Sequence, residues 1–292
     1  MKKILFKGAG TAIITPFVKD KINYPEFKKL LNFQIKNNID AIIVCGTTGE
    51  SSTLSTDEKK NLIDFTVKTV NHRVPVIAGT GGNCTKTSIE LSKYAESAGV
   101  EGLLLVTPYY NKTTQNGLVA HFTAIAESTK LPIILYNVPS RTGLNIAPNT
   151  YLKLSKIDNI VATKEASGDI SQIAEIASLC GDNLHIYSGN DDQILPILSL
   201  GGIGIISVLS NVAPNYVHSM VDLYLQNKTT EATKMQLDSI PLILHLFSEV
   251  NPIPVKEALN QIGFNVGEPR LPLIQMSEDG KQKMKLLLKK FM

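Results

Sequence analysis

Eight short apolar runs recur along the chain, each followed by an amphipathic stretch, and this rhythm restricts the fold more than any other feature. The runs are Thr11–Thr15, Ala41–Gly46, Val74–Gly79, Gly102–Thr107, Ile133–Asn137, Ile160–Lys164, His185–Gly189 and Gly204–Val208. Apolar runs without in–out alternation are typical of parallel strands that are covered on both faces. Their spacing, roughly 20–30 residues, suits strand–helix–strand units. The sequence therefore predicts an α/β fold, a (β/α)8 TIM barrel with a C-terminal helical extension.

Helix signals lie between the runs. Ser55-Thr56-Asp57-Glu58 predicts a capping box, and Asp169 followed by Gln172 predicts a second helix start of this kind. An open doubly wound sheet is the alternative fold, and it would need a glycine-rich dinucleotide motif or a comparable loop. The two candidate stretches, 8–13 and 202–207, both lack the third glycine of that motif. The closed barrel is therefore favoured.

Only helix patterns follow the eighth run. We therefore predict a barrel that carries the active site at residues 1–224 and a helical C-terminal region at residues 225–292. The tail is too short, and too closely tied to the barrel, to form an independent domain. Its Lys281–Lys290 stretch is the one charge cluster of the chain, and a solvated last helix fits it better than a membrane-surface helix.

The composition is that of a folded chain, with 43% hydrophobic residues among 292. A net charge of +3, spread along the chain, disfavours nucleic acid as a partner. Three cysteines without CxxC spacing predict reduced thiols rather than disulfides or a zinc site. Lys7 interrupts the N-terminal apolar run, and the uncharged stretch 193–217 contains prolines and glycines. We expect a cytoplasmic protein with no membrane span.

A barrel carries its active site at the carboxyl ends of its strands. The runs end in Thr15-Pro16-Phe17, Gly46-Thr47-Thr48-Gly49-Glu50, Gly79-Thr80-Gly81, Thr107-Pro108-Tyr109-Tyr110, Tyr136-Asn137, Lys164-Glu165, Gly189-Asn190 and Ser207. These ends hold hydroxyls, phenols, glycines and one lysine, but no histidine. Metal-binding HExxH, hydrolase GxSxG and Walker motifs do not occur in the sequence. We therefore expect no metal site and turn to the amine and the phenols.

Lys164 ends the sixth apolar run. Most lysines at such a position extend their ammonium group to solvent from a buried stem. Inside a barrel, however, burial disfavours the charged form of the amine. A neutral amine is the nucleophile that forms a Schiff base with a carbonyl substrate. The position therefore favours a catalytic lysine.

Two further candidates surround this lysine. Tyr136 ends the preceding run, and a phenol beside an imine can transfer the protons that imine chemistry requires, although a core tyrosine would look the same. Arg141 follows in a loop stiffened by Pro139 and can hold a substrate carboxylate through two parallel hydrogen bonds. The turn 47–50 offers hydroxyls and backbone N–H groups to an anion, as a plain turn also would.

Together these motifs resemble the dihydrodipicolinate synthase family, within the N-acetylneuraminate lyase superfamily. The resemblance covers the whole chain, and no single string carries it alone. It rests on Ala12-Ile-Ile-Thr-Pro-Phe17, Gly46-Thr-Thr-Gly-Glu-Ser51, Tyr136-Asn-Val-Pro-Ser-Arg-Thr-Gly143 and Glu268-Pro-Arg-Leu-Pro-Leu273 in this order, with Lys164 on the sixth strand.

The resemblance implies a reaction between pyruvate and L-aspartate-4-semialdehyde, the first committed step of diaminopimelate and lysine biosynthesis. Lys164 would form an imine with pyruvate, and the resulting enamine would attack the aldehyde. Tyr136 would donate and accept protons, linked through Thr48 to Tyr110 of a neighbouring subunit. A dimer at least, usually within a homotetramer built as a dimer of dimers, is therefore implied.

The resemblance also implies the binding contacts. Thr47 and Thr48 would hold the pyruvate carboxylate, and the backbones of Gly189 and Ile206 would lie near the lysine. Arg141 would bind the carboxylate of the semialdehyde. Neither a cofactor nor a metal would be required.

Two other functions stay open on the sequence alone. N-acetylneuraminate lyases and 2-keto-3-deoxy-sugar-acid aldolases share the lysine, the tyrosine and the turn, but the lyases generally lack an arginine at position 141 and tend to have serine where this chain has Thr47. A phosphate-binding barrel without catalytic activity would use Gly189-Asn190 and Ser207. It would have no need of Lys164 beside a tyrosine, and Asp191 and Asp192 lie in that region.

One departure from the family concerns feedback by lysine. Lysine-inhibited members carry histidine in place of Thr56 and often glutamate in place of Thr87, whereas this chain keeps Ser51, Asn83 and Tyr109 as a remnant of the effector site. A carboxylate at position 87 would pair with the effector's ammonium group, and threonine cannot. We therefore expect lysine to inhibit weakly or not at all.

Overall fold

The apolar runs form a closed parallel barrel in the computed structural model, which describes residues 2–291. The strands are β1 (Gly8–Ala12), β2 (Phe17–Val18), β3 (Lys21–Ile22), β4 (Ala41–Val44), β5 (Val76–Gly79), β6 (Gly102–Val106), β7 (Ile133–Asn137), β8 (Ile160–Glu165), β9 (His185–Ser188) and β10 (Gly204–Ser207). The barrel consists of β1 and the strands β4 to β10 in sequence order, and it closes where β10 pairs with β1. β2 and β3 form a separate antiparallel pair. The predicted fold class is confirmed.

Helices lie between the strands and follow the last one. They are α1 (Tyr24–Lys36), α2 (Thr56–Val70), α3 (Thr85–Ala98), α4 (Gln115–Ala126), α5 (Pro139–Thr142), α6 (Pro148–Leu154), α7 (Ile170–Cys180), α8 (Ile194–Ser199), α9 (Pro214–Leu225), α10 (Thr229–Leu246), α11 (Ile253–Gln261) and α12 (Glu278–Leu288). Both predicted helix starts are present. Ser55 and Glu58 cap each other's backbone N–H groups at the start of α2, and Asp169 accepts a hydrogen bond from the Gln172 N–H at 3.0 Å.

The first strand lies earlier than predicted, at Gly8–Ala12 instead of Thr11–Thr15. The prediction followed large apolar side chains, whereas this strand is built from small residues. A Cβ on Gly10 would lie 2.7 Å from Cδ1 of Ile43 and 2.8 Å from the Phe6 ring. Glycine is required there because the neighbouring side chains already fill the space.

The interior of the barrel is a core of its own, distinct from the larger core between the strands and the helices. Phe6, which precedes β1, stacks on Tyr187 with ring centroids 4.4 Å apart, and the Tyr187 hydroxyl donates a hydrogen bond to the Phe6 carbonyl at 2.6 Å. Side chains therefore fill the interior beside the start of β1, and the strands' carboxyl ends are left for a site.

The helices after residue 225 pack on the barrel rather than apart from it. Buried side chains of α10, α11 and α12, among them Leu246, Leu259 and Met284, belong to the same core as those of the barrel helices. The uncharged stretch 193–217 folds into α8, β10 and the start of α9. Within residues 2–291, no helix combines the length and the apolar character that crossing a membrane would require.

Candidate active site

Lys164 and Tyr136 lie side by side at the carboxyl ends of neighbouring strands. They are register partners in the pairing of β7 with β8, and both side chains are buried. The Lys164 Nζ lies 4.3 Å from the centroid of the Tyr136 ring. The structure therefore brings together the amine and the phenol that the sequence selected.

Gly189 lies against the lysine, and Ile206 belongs to the inner core of the barrel. A Cβ on Gly189 would lie 3.1 Å from Lys164 Cε and 2.8 Å from the Ala166 Cβ, so a side chain there would press on the lysine stem. The Gly189 N–H donates to the Glu165 carbonyl at 2.6 Å, which holds this backbone against β8. Ile206 is fully buried in the inner core together with Tyr136.

A buried carboxylate near the lysine was not selected from the sequence as a site residue. Asp191 accepts hydrogen bonds from the Ser207 hydroxyl at 2.5 Å and from the Val208 and Leu209 N–H groups at 3.0 Å each. Burial raises the pKa of the Asp191 carboxyl, while these donors and the charge of Lys164 oppose that rise. Asp191 thus joins the loops after β9 and β10.

Glu165 fixes β8 from the outer side of the barrel. Because side chains alternate along a strand, Glu165 points away from the side that Lys164 occupies. It accepts hydrogen bonds from the Tyr151 hydroxyl at 2.5 Å, the Ser167 hydroxyl at 2.8 Å and the Asn137 amide at 3.0 Å. Burial raises the pKa of the Glu165 carboxyl, and these donors oppose the shift. The strand that carries the lysine is therefore held by a network of polar contacts.

The turn after β4 carries the two predicted threonines. Thr48 is buried, and the Glu50 N–H donates to the Thr47 carbonyl at 3.0 Å. Glu50 has a φ of 57°, and its carboxylate forms a fully buried ion pair with Lys256 at 2.7 Å. The turn is thus anchored by α11, a contact that the sequence analysis did not identify.

Asn251, in the segment between α10 and α11, is a second contact from the C-terminal region. Its Nδ2 donates to the Thr48 Oγ1 at 3.0 Å. Its backbone carbonyl accepts from Nη2 of Arg141 at 3.2 Å. Asn251 was missed because it follows a helix, whereas the candidates were sought at strand ends.

Tyr110 stands apart from the other predicted residues. Its side chain is 91% exposed, and its backbone has a φ of 68° in the loop after β6. Within residues 2–291 its hydroxyl makes no hydrogen bond. One chain alone therefore does not bring Tyr110 to Lys164.

The predicted effector residues share a cavity with part of the site. The cavity has a volume of about 370 Å³, and its lining includes Thr47, Arg141, Ser51, Asn83 and Tyr109. No group of three or more His, Cys, Asp or Glu side chains in the described part of the chain is arranged to hold a metal ion.

A lysine buried beside a tyrosine at the mouth of a (β/α)8 barrel is the arrangement that an enzyme of the Schiff-base, aldolase-type class requires. The model of the dihydrodipicolinate synthetase family matches residues 5–291, and the chain belongs to this family.

Relatives and solved structures of the family are similar over almost their whole length. A 4-hydroxy-tetrahydrodipicolinate synthase of Clostridium acetobutylicum is 57% identical over 98% of this chain and 97% of its own. The dihydrodipicolinate synthase structure from Thermotoga maritima has a TM-score of 0.96 at 42% identity, covering 98% of this chain and 99% of that one. A monomeric dihydrodipicolinate synthase variant has the same score and identity, covering 98% and 97%.

Proposed function

We propose that the chain condenses pyruvate with L-aspartate-4-semialdehyde to give 4-hydroxy-tetrahydrodipicolinate, the first committed step of diaminopimelate and lysine biosynthesis. The observation that carries the proposal is the buried Lys164 amine, 4.3 Å from the Tyr136 ring, in a chain of this family. We infer a cytoplasmic location from this biosynthetic role. The barrel, residues 1–224, carries the reacting groups, and residues 225–292 support them.

The first half of the reaction activates pyruvate. The Lys164 amine attacks the keto carbon, water leaves, and an imine forms. Loss of a methyl proton then gives the enamine, and Tyr136 transfers the protons of these steps. The turn of Thr47 and Thr48 binds the pyruvate carboxylate through its backbone N–H groups and the Thr47 hydroxyl. The Thr48 hydroxyl links Tyr136 to Tyr110, and the backbones at Gly189 and Ile206 lie near the lysine.

The second half forms the carbon–carbon bond and releases the product. The enamine carbon attacks the aldehyde carbon of the semialdehyde, whose carboxylate Arg141 binds through charge-assisted hydrogen bonds. The amino group of this substrate then attacks the imine carbon, the ring closes, and the Lys164 amine leaves. One water is released overall, and no electrons are transferred.

A coupled assay tests the proposal. Purified protein, pyruvate and L-aspartate-4-semialdehyde are combined with a dihydrodipicolinate reductase, and oxidation of the reduced nicotinamide is followed. We expect turnover with this acceptor. When N-acetylmannosamine replaces it, consumption of pyruvate is measured directly in withdrawn samples with lactate dehydrogenase, and we expect none. Turnover with the sugar alone would assign the chain to the sialic-acid lyases instead, and neither reaction from a folded protein would contradict the proposed activity.

We further propose a homotetramer, a dimer of dimers, in which Tyr110 completes the active site of the neighbouring subunit. Its 91% exposure in a single chain supports this, because a large aromatic side chain at such a loop gains much from burial in an interface. The monomeric variant with the same fold shows that this fold does not by itself require assembly.

Hybrid oligomers test the sharing of Tyr110. Lys164→Ala and Tyr110→Phe chains are each expected to be nearly inactive as homo-oligomers. Mixed and reassembled, they restore activity, because a Tyr110→Phe chain keeps its lysine and receives a tyrosine from its Lys164→Ala partner. Activity is measured after refolding the two together and after mixing without reassembly. Hybrids as inactive as both parents would contradict a tyrosine supplied by the partner.

The cavity argues for weak feedback by lysine. Lys59 lines it, half-buried, and within residues 2–291 it forms no ion pair; burial lowers the pKa of its amine. The one carboxylate in the lining, that of Glu90, is exposed. A cationic effector therefore meets a positive charge without a buried carboxylate to offset it.

We expect L-lysine at about 1 mM to leave turnover essentially unchanged, since only a weak complex is expected. Thr87→Glu adds a second carboxylate to the cavity lining and should raise the sensitivity to lysine, whereas Thr87→Gln should not. Both are measured by titrating lysine into the coupled assay at fixed substrate. A submillimolar inhibition constant for the unchanged protein would contradict the expectation.

A further inference from the structure

Asn251 links two residues that serve different substrates in the proposed reaction. Its side chain contacts Thr48, and its backbone carbonyl contacts the Arg141 guanidinium. It is 5% exposed and belongs to the C-terminal region, 203 residues from Thr48 along the chain. A single residue outside the barrel therefore contacts both the pyruvate side and the semialdehyde side of the site.

The side-chain contact has a direction. An amide nitrogen donates hydrogen bonds and does not accept them, so the Thr48 oxygen must be the acceptor. The one proton of the Thr48 hydroxyl is then left free to donate to another group. If the amide were reversed, the Asn251 oxygen would accept a hydrogen bond from the Thr48 hydroxyl, and that hydroxyl could not donate to another group.

The other end of the same amide is unpaired. Oδ1 of Asn251 is buried without a hydrogen-bond partner in the described part of the chain. A buried unpaired acceptor disfavours the folded state, and most buried amides pair at both ends. Among the residues that the structure describes, only the Nδ2 of the Asn251 amide forms a hydrogen bond, and its partner is Thr48. This arrangement favours a role in the Thr48 contact over a role in stability.

We propose that Asn251 is a positioning residue of the condensation, which orients the Thr48 hydroxyl so that its proton is directed into the chain of tyrosine hydroxyls. The inference rests on the proposed function, in which Thr48 links Tyr136 to Tyr110. The two contacts of Asn251 have separable effects. Replacing the side chain removes the Thr48 contact and leaves the backbone carbonyl that binds Arg141.

Asn251→Ala and Asn251→Asp test the proposal. Alanine removes the donor, whereas aspartate is nearly isosteric with asparagine but accepts a hydrogen bond from the Thr48 hydroxyl. In both we expect kcat to fall by about tenfold, which is less than the roughly 10²–10⁴-fold that a general acid or base contributes itself, because Asn251 acts through Thr48. The KM for the semialdehyde should stay within about threefold in Asn251→Ala, because a contact retained in the variant keeps its share of binding.

A second readout does not depend on the acceptor. Exchange of the pyruvate methyl protons with deuterium, followed by NMR, requires only the imine and proton transfer. We expect both variants to slow this exchange about tenfold as well, because the exchange depends on the same proton transfers as the condensation. If the unchanged protein exchanged these protons but did not condense pyruvate with the semialdehyde, the proposed acceptor would be wrong. The exchange rates of the two variants would still test the role of Asn251.

Asn260→Ala is the matched control. Asn260 also lies in the C-terminal region and makes two hydrogen bonds there, to the Val266 N–H at 2.9 Å and to the Gly267 carbonyl at 3.3 Å. It should leave kcat and exchange unchanged, and thermal melts check that every variant is folded. The proposal would be overturned if both Asn251 variants exchanged protons at the unchanged rate. It would also be overturned if Asn251→Asp kept full activity and only Asn251→Ala lost it, because a packing role needs only the shape of the side chain.

Discussion

Lys164→Ala is expected to lower turnover by a factor of about 10³ or more, as removal of a catalytic nucleophile does in other enzymes. The amine is the atom that bonds to pyruvate in the proposed reaction, and within residues 2–291 no other lysine shares its position at the end of β8. The rate is measured in the coupled assay, at saturating pyruvate and semialdehyde.

Two companion variants make this result specific. Lys164→Arg keeps a positive charge but has no amine that can form the imine, so it should be as inactive as Lys164→Ala. Lys153→Ala removes an exposed lysine of α6 and should keep full turnover. Comparable activity of Lys164→Arg and the unchanged protein would mean that charge, and not covalent chemistry, is what this position supplies.

Lys256→Met is expected to destabilise the fold by about 3–5 kcal/mol, the usual cost of leaving one member of a buried ion pair alone. Lys256 and Glu50 are 2.7 Å apart, and each side chain is only 1% exposed. The ammonium also lies 4.4 Å above the Phe17 ring. Burial lowers the pKa of the Lys256 amine, and Glu50 opposes this shift. Without the lysine, the buried Glu50 carboxylate would lose its ion-pair partner and keep the hydrogen bond from the Arg270 N–H at 2.8 Å.

Denaturant unfolding measures the effect, with two controls. Lys234→Met breaks the exposed pair with Asp238 and should change the free energy of unfolding by less than about 1 kcal/mol. The double variant Glu50→Gln with Lys256→Met removes both charges, and it should be more stable than Lys256→Met alone. A single Lys256→Met variant as stable as the unchanged protein would show that the buried pair does not anchor the turn after β4.

The sequence predicted the features of the site that follow from strand periodicity. Parallel strands end on the same side of a barrel, so Tyr136 and Lys164, each at the end of an apolar run, had to lie near each other. The structure places them in register on β7 and β8. The same logic failed for β1, where glycine and alanine form the strand and large side chains do not mark it.

The periodicity of the sequence could not predict the contacts that the C-terminal region makes with the site. Asn251 and Lys256 lie more than 200 residues from the turn they contact. No periodic pattern connects a loop between two helices to a turn at the other end of the chain, because tertiary packing alone brings them together. In the proposed assembly, the partner of Tyr110 lies in a neighbouring subunit, which the pattern of one chain likewise does not contain.

Borohydride reduction in the presence of pyruvate is the most direct measurement of the chemistry at Lys164. Reduction converts an imine into a stable amine, and mass spectrometry of the digested protein then locates the adduct. We predict one pyruvate adduct, on the peptide that carries Lys164, and no adduct in Lys164→Ala. An adduct on another lysine, such as Lys59 or Lys256, or no adduct in a protein that turns over both substrates, would contradict Lys164 as the residue that binds pyruvate covalently.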